Sequence, residues 1–189
     1  KYLSQVQKSE PIKYIGYVTS VNGLEIVSKG PCAKIGEICT IVLPDGTKLL
    51  SEVVGLDDAK VKLTAFGDTK GIEVGCEVIG SGSVLQVPVG MSLLGRTIDA
   101  TGKPFDGLGE IVPETYYPAI ASPPNPMSRL PINRRISTGV KAIDGMLTVG
   151  KGQRLGIFAG SGVGKSTLLS MIARNTNADI NVIGLIGER

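Results

Sequence analysis

The chain has 189 residues, of which 42% are hydrophobic and 20% charged, and a formal net charge of +3. That hydrophobic share excludes an intrinsically disordered chain, and the length allows one large domain or two small ones. The small positive balance is spread along the chain and gives no electrostatic footprint for nucleic acid, and no apolar run reaches membrane-spanning length. Three cysteines and no histidine leave no zinc set and no Ser–His or Cys–His pair. Cys32, Cys39 and Cys76 are expected to be buried and reduced, behaving as small hydrophobes in a cytosolic protein.

Residues 11–80 read as short strands separated by turns. Residues 12–20 and 24–27 flank Val21-Asn22-Gly23, and Asn-Gly is the strongest short hairpin signal. Residues 36–43 and 47–54 flank Pro44-Asp45-Gly46, a second turn. Residues 60–65 alternate strictly, predicting a strand half buried on Val61, Leu63 and Ala65. Strands at this spacing predict a small closed barrel or sandwich. With few aromatics for base stacking, a packing and assembly domain is favoured over an oligonucleotide binder.

Residues 89–107 are glycine-punctuated and turn-rich. Five of the eleven prolines fall between Pro118 and Pro131, predicting an extended surface connection with neither helix nor central strand. Arg129, Arg134 and Arg135 near its end read as solvated linker charges. Residues 137–147 predict a capped short helix with Val140, Ile143 and Met146 or Leu147 turned inward.

Residues 159–167, Ala-Gly-Ser-Gly-Val-Gly-Lys-Ser-Thr, follow the apolar run 155–158 and precede residues 168–173, whose apolar positions recur at helical spacing. Strand, glycine-rich turn and helix are the context a phosphate loop requires. Ala159 stands where the usual pattern begins with Gly. Gly160, Gly162 and Gly164 let the backbone wrap closely around phosphate oxygens, with the N-terminus of the following helix favouring an anion. Lys165 supplies a point charge for the β- and γ-phosphates, and the Ser166 hydroxyl is placed to ligate Mg²⁺. The candidate nucleotide-binding residues are Gly160, Ser161, Gly162, Val163, Gly164, Lys165, Ser166 and Thr167.

Residues 180–186 predict a parallel strand covered on both faces. A right-handed crossover from the first strand would deliver Glu188 and Arg189 to the sheet edge that carries the loop. On spacing alone, Glu188 is either a solvated strand-end residue or a carboxylate that orients an attacking water.

Residues 138–144 (Thr-Gly-Val-Lys-Ala-Ile-Asp), residues 152–158 (Gly-Gln-Arg-Leu-Gly-Ile-Phe) running into the loop, and residues 186–189 (Ile-Gly-Glu-Arg) resemble the flagellar type III protein-export ATPases. These are relatives of the catalytic subunits of F-type and V-type rotary ATPases. Leu94-Gly95-Arg96 with Asp99, Gly102, Pro104 and Asp106-Gly107 is similar to the opening of the family's nucleotide-binding domain. The resemblance covers nearly the whole chain, weakest before about residue 80 and strongest from residue 136.

The resemblance implies a six-stranded β-barrel over residues 1–86. Residues 87–189 would be the first part of a RecA-like α/β P-loop domain, with a Pro-rich connection at about 104–136. It implies ATP and Mg²⁺ as cofactors, Lys165 in catalysis, Glu188 as the carboxylate that activates water, and Arg189 near the γ-phosphate. Non-catalytic subunits of rotary ATPases carry Gln at the position of Glu188. A homohexameric ring is implied, cytoplasmic and peripherally associated with an inner-membrane export gate, with stator and stalk proteins and export substrates as partners and no nucleic acid.

The family continues past the position of Arg189 with a Walker-B aspartate, an adenine-binding aromatic, an arginine finger and a helical domain. The chain is therefore expected to be an N-terminal fragment that hydrolyses ATP poorly alone. Three other readings share some of the chemistry: an injectisome secretion ATPase, a non-catalytic ring subunit, and an RNA-translocating hexamer. Glu188 argues against the second, and the sparse aromatics of the barrel argue against the third.

Overall fold

The computed structural model describes residues 14–58 and 60–187, so the first residues of the expected 12–20 strand lie outside the described residues. The chain divides into two compact units, Lys1–Ser122 and Pro123–Arg189.

The first unit is built on β1 (Ile15–Asn22), β2 (Glu25–Lys29), β3 (Glu37–Val42), β4 (Lys48–Asp57), β5 (Lys60–Ala65) and β6 (Glu77–Val84). They hydrogen-bond in the order β1-β2-β5-β4-β3-β6, and β6 pairs back with β1, so the antiparallel sheet closes into a barrel. The expected six-stranded barrel is present. Turn chemistry sets its register. Gly23, at φ +65, helps close a two-residue loop that sets Asn22 opposite Glu25. Gly46, at φ +84, sits in a turn where its N–H donates to the Leu43 carbonyl (2.9 Å) and the Thr47 N–H donates to Asp45 Oδ1 (2.8 Å). Both positions need a left-handed backbone that glycine adopts without penalty.

Alternation along the strands points Val18, Ile26, Cys39, Ile41, Val53, Val61, Leu63, Cys76 and Val78 into one core. Val61 and Leu63 are buried as the alternation requires, and Ala65 packs against them. Each fully buried Leu, Ile or Val stabilises the fold by roughly 1.5–3 kcal/mol, so losing one removes a large part of a domain's net stability. Burial pushes the Cys39 thiol up to about 11, with the nearby Glu37 charge adding to the effect. Cys32 departs from expectation and is exposed. It lies in the turn after β2, where apolar neighbours do not amount to a strand. Glu37 is itself buried, and its carboxylate accepts from the amides of Lys34 (3.0 Å) and Gly82 (2.9 Å). This satisfies a group that burial would otherwise penalise. Gly16 allows a close backbone approach, since a Cβ there would collide with the Gly30 carbonyl.

Beyond the barrel the same unit carries β7 (Gln86–Val89) paired with β8 (Thr115–Pro118). The proline-rich stretch therefore contains one short strand, in a two-stranded sheet that tolerates proline at its end. Between β7 and β8, Arg96 grips Asp106 in a two-pronged ion pair, Nε to Oδ2 at 2.7 Å and Nη2 to Oδ1 at 3.0 Å, with both side chains largely enclosed. The Arg96 guanidinium, then the Thr97 and Leu108 amides, hold the Asp106 carboxyl well below the usual carboxylate range.

A carboxyl depressed in the folded state stabilises the protein above its unfolded pKa, about 3.9. That contribution is lost as pH falls through the lower folded value. Arg96→Ala should therefore lower Tm most near neutral pH, and the gap to the parent should narrow below about pH 4. Thermal melts from pH 7 to pH 3 check this, and a gap independent of pH would refute it.

The second unit is smaller in its core, with Val140 and Val149 as its buried apolar residues among those described. Residues 119–135 are exposed and carry one 3₁₀ turn, Pro126–Ser128, and Arg129, Arg134 and Arg135 are exposed as expected. Residues 134–136 then lie along 149–151, with the Ile136 N–H donating to the Val149 carbonyl (2.8 Å) and the Lys151 N–H to the Arg134 carbonyl (2.7 Å). Two α-helices follow, α1 (Lys141–Met146) and α2 (Lys165–Asn175).

Two expectations fail in this unit. Met146 and Leu147 point outward, 84% and 64% exposed. Six residues of α1 make less than two turns, so its buried contact falls on Val140 at its entry. The apolar runs 155–158 and 180–186 form no strands, and Phe158, Val182 and Ile186 are more than nine-tenths exposed. A buried parallel strand needs hydrogen-bonded neighbours and cover on both faces. The described residues of this unit offer two helices, neither with a buried residue.

Candidate functional site

The glycine loop turns directly into α2. Gly162 has φ +78, and Gly164, at φ +96 and ψ 19, is the left-handed residue that caps the helix. The first intrahelical bond, from the Leu168 N–H to the Gly164 carbonyl, is 2.9 Å. A Cβ at Gly162 or Gly164 would meet no atom within 4 Å. Glycine is thus required at these two positions by backbone conformation, not by crowding from the protein's own atoms. Ala159, Gly160, Ser161, Gly162, Gly164, Lys165, Ser166 and Thr167 line one depression of about 470 Å³. Seven of the eight predicted nucleotide-binding residues are thereby brought together. Val163 is absent from the lining and is 68% exposed.

The donor chemistry of this depression fits a polyphosphate. A glycine cap brings no side-chain oxygen to the amides of the first helical turn, and that turn carries no acidic residue. An eleven-residue helix presents the positive end of its dipole there. Lys165 adds a positive charge, and Ser166 and Thr167 line the same depression. A hard divalent cation prefers oxygen ligands. Among the described residues no group of three or more His, Cys, Asp or Glu could hold a metal ion, and a hydroxyl oxygen such as that of Ser166 is of the kind such a cation accepts.

The far end of α2 is anchored by residues that the sequence did not mark as a group. The Ser137 N–H donates to Asn177 Oδ1 (2.9 Å), while the Ser137 carbonyl accepts from Thr176 Oγ1 (2.9 Å) and the Asn177 N–H (3.2 Å). Asp144, in the first turn of α1, reaches back to the same segment. Its Oδ2 accepts from Ser137 Oγ (2.6 Å) and the Gly139 N–H (2.9 Å), and its Oδ1 from the Thr138 N–H and Oγ1 (both 2.8 Å). The Ser137 hydroxyl first, then these Thr138 and Gly139 donors, lower the Asp144 carboxyl to about 2.

The expected cap on α1 is thus reversed. Its N-cap is Val140, which makes no side-chain bond, and the helix's own aspartate binds the residues leading into it. Ser-Thr-Gly followed five residues later by Asp was the available signal.

Glu188 and Arg189 fall outside the described residues. The run 180–186 meets α2 through Asn181, whose Nδ2 donates to the Ala173 carbonyl (2.9 Å). No helix among the described residues is long and apolar enough to cross a membrane.

Comparison with known proteins agrees with both halves. Residues 18–82 match the beta-barrel domain of the ATP synthase alpha/beta family, and residues 139–189 match the nucleotide-binding domain of the same family. A flagellum-specific ATP synthase of Treponema pallidum (strain Nichols) is 56% identical across the whole chain, which spans 42% of that protein. A type 3 secretion system ATPase of Xanthomonas euvesicatoria is 47% identical over 92% of this chain and 40% of its own length. Among solved structures, the assembled ATPase EscN from the type III secretion system of enteropathogenic E. coli superposes with a TM-score of 0.78 at 39% identity. That match covers 87% of this chain and 40% of EscN. A closed six-stranded barrel, a glycine loop opening α2 and matches to both domain models place the chain in the ATP synthase alpha/beta family.

Proposed function

We propose that the chain is the barrel and phosphate-loop portion, divided near residue 87, of an Mg-ATP hydrolase that works as a homohexameric ring and energises flagellar type III protein export. The observation that carries this is the convergence of Lys165, Ser166, Thr167 and the glycine backbone on one depression at the N-terminus of α2. The loop amides and Lys165 hold the β- and γ-phosphates, and Ser166 takes part in holding Mg²⁺, which shields phosphate charge when bound. Glu188 orients the attacking water, and Arg189 lies near the γ-phosphate.

The flagellar assignment over the injectisome rests on 56% identity over the whole chain against 47% over 92% of it. The assembled state of EscN supports a ring. Stator and stalk proteins and export substrates are the proposed partners, at the cytoplasmic side of the inner membrane.

Steady-state phosphate release by the full-length protein, titrated with Mg²⁺, tests the reading. ATP-dependent release is expected, and its absence would overturn the proposal. Ser166→Ala should raise the Mg²⁺ concentration needed for half-maximal release by about tenfold, equivalent to losing one hydrogen-bond-strength ligand contact. An unchanged titration would remove Ser166 from the metal site. Loss of flagellar filaments on deletion of the gene separates the flagellar from the injectisome role.

A further inference from the structure

Asn181 holds helix α2 at the Ala173 carbonyl, and because the helix buries none of its residues fully, its direction also depends on the bonds at its C-terminal end. Those bonds converge on residues 137–139, and that segment is itself held by four donors converging on the Asp144 carboxylate. The packing is close as well, since a Cβ on Gly139 would collide with Asn175. We infer that Asp144 is a positioning residue for the phosphate loop, acting through residues 137–139 and the C-terminal end of α2. The inference rests on the nucleotide-binding reading of residues 159–167.

The lever is simple. An α-helix of eleven residues is roughly 16 Å long, so a tilt of about 5° about its far end moves the loop by roughly 1.4 Å. That distance is enough to take amide donors out of hydrogen-bond range of a phosphate oxygen. Releasing the clasp lets α2 sample directions in which the loop is not competent. Apparent affinity then falls in proportion to the competent fraction, while bound nucleotide selects the competent direction and leaves the chemical step intact.

Asp144→Asn in the full-length protein places an NH₂ group opposite two of the present donors, and Asn177→Ala removes the acceptor for the Ser137 amide without touching α1. Asp45→Asn is the control. Asp45 Oδ1 likewise accepts from a backbone amide, that of Thr47 (2.8 Å), but in a turn of the barrel. With Mg-ATP, Asp144→Asn and Asn177→Ala should each raise KM by about tenfold with kcat within twofold of the parent, and Asp45→Asn should leave both unchanged. An unchanged KM in the folded variants overturns the inference. So does a fall in kcat at constant KM, which reports a smaller folded fraction. If Asp144→Asn does not fold, Asn177→Ala decides. Absence of nucleotide binding by the parent protein would instead overturn the nucleotide reading and the inference with it.

Discussion

Lys165→Ala in the full-length protein should abolish ATP hydrolysis while leaving the fold in place. Lys165 is the first residue of α2 and lines the depression formed by the glycine loop. Alanine is the best helix former, so the substitution does not weaken the helix that carries the loop. What disappears is the positive charge that the proposed function sets against the β- and γ-phosphates, where negative charge is redistributed during phosphoryl transfer. Removing one preorganised electrostatic contact of this kind costs about 10²–10³ in rate, and weakened ground-state binding adds to the loss at limiting ATP. Circular dichroism and the melting temperature should match the parent, while phosphate release falls to background. Near-normal turnover would mean that residues 159–167 are a turn and not a phosphate site.

Glu188→Gln should separate binding from chemistry. Glutamine keeps the shape and much of the hydrogen bonding of glutamate, but it lacks the negative charge proposed to polarise an attacking water. ATP should bind with similar affinity, while turnover falls by about two or more orders of magnitude, the range expected for loss of a general-base contribution. Titration with a fluorescent ATP analogue alongside single-turnover hydrolysis checks both parts. Equal losses in binding and turnover would give Glu188 a role in holding the nucleotide-binding unit together.

What could be read from the sequence was what is encoded locally. Lys60–Ala65 declares itself a strand through period-two alternation, and Asn22-Gly23 and Asp45-Gly46 declare their turns through backbone chemistry. The glycine loop is legible for the same reason, since Gly162 and Gly164 mark left-handed conformations within a few residues of Lys165. The strand order was not legible from spacing. β2 pairs with β5 across two intervening strands, and closure with six strands was implied by family resemblance alone. The clasp was hidden because Ser137, which Asp144 holds, takes its other partner from Asn177, forty residues away, with no periodicity joining them. Residues 155–158 and 180–186 mark a further boundary. Apolar runs reveal what a segment requires of its surroundings, while strand formation depends on whether neighbours meet that requirement.

Because β6 returns to β1, the barrel presents no free edge strand among the described residues, and another chain cannot join it by β-augmentation. What the barrel offers another molecule is the set of side chains standing on its outer wall, such as the exposed Tyr17, Val54 and Leu56. Parting two such surfaces breaks no backbone ladder. On such a wall the strength of an encounter is set one side chain at a time.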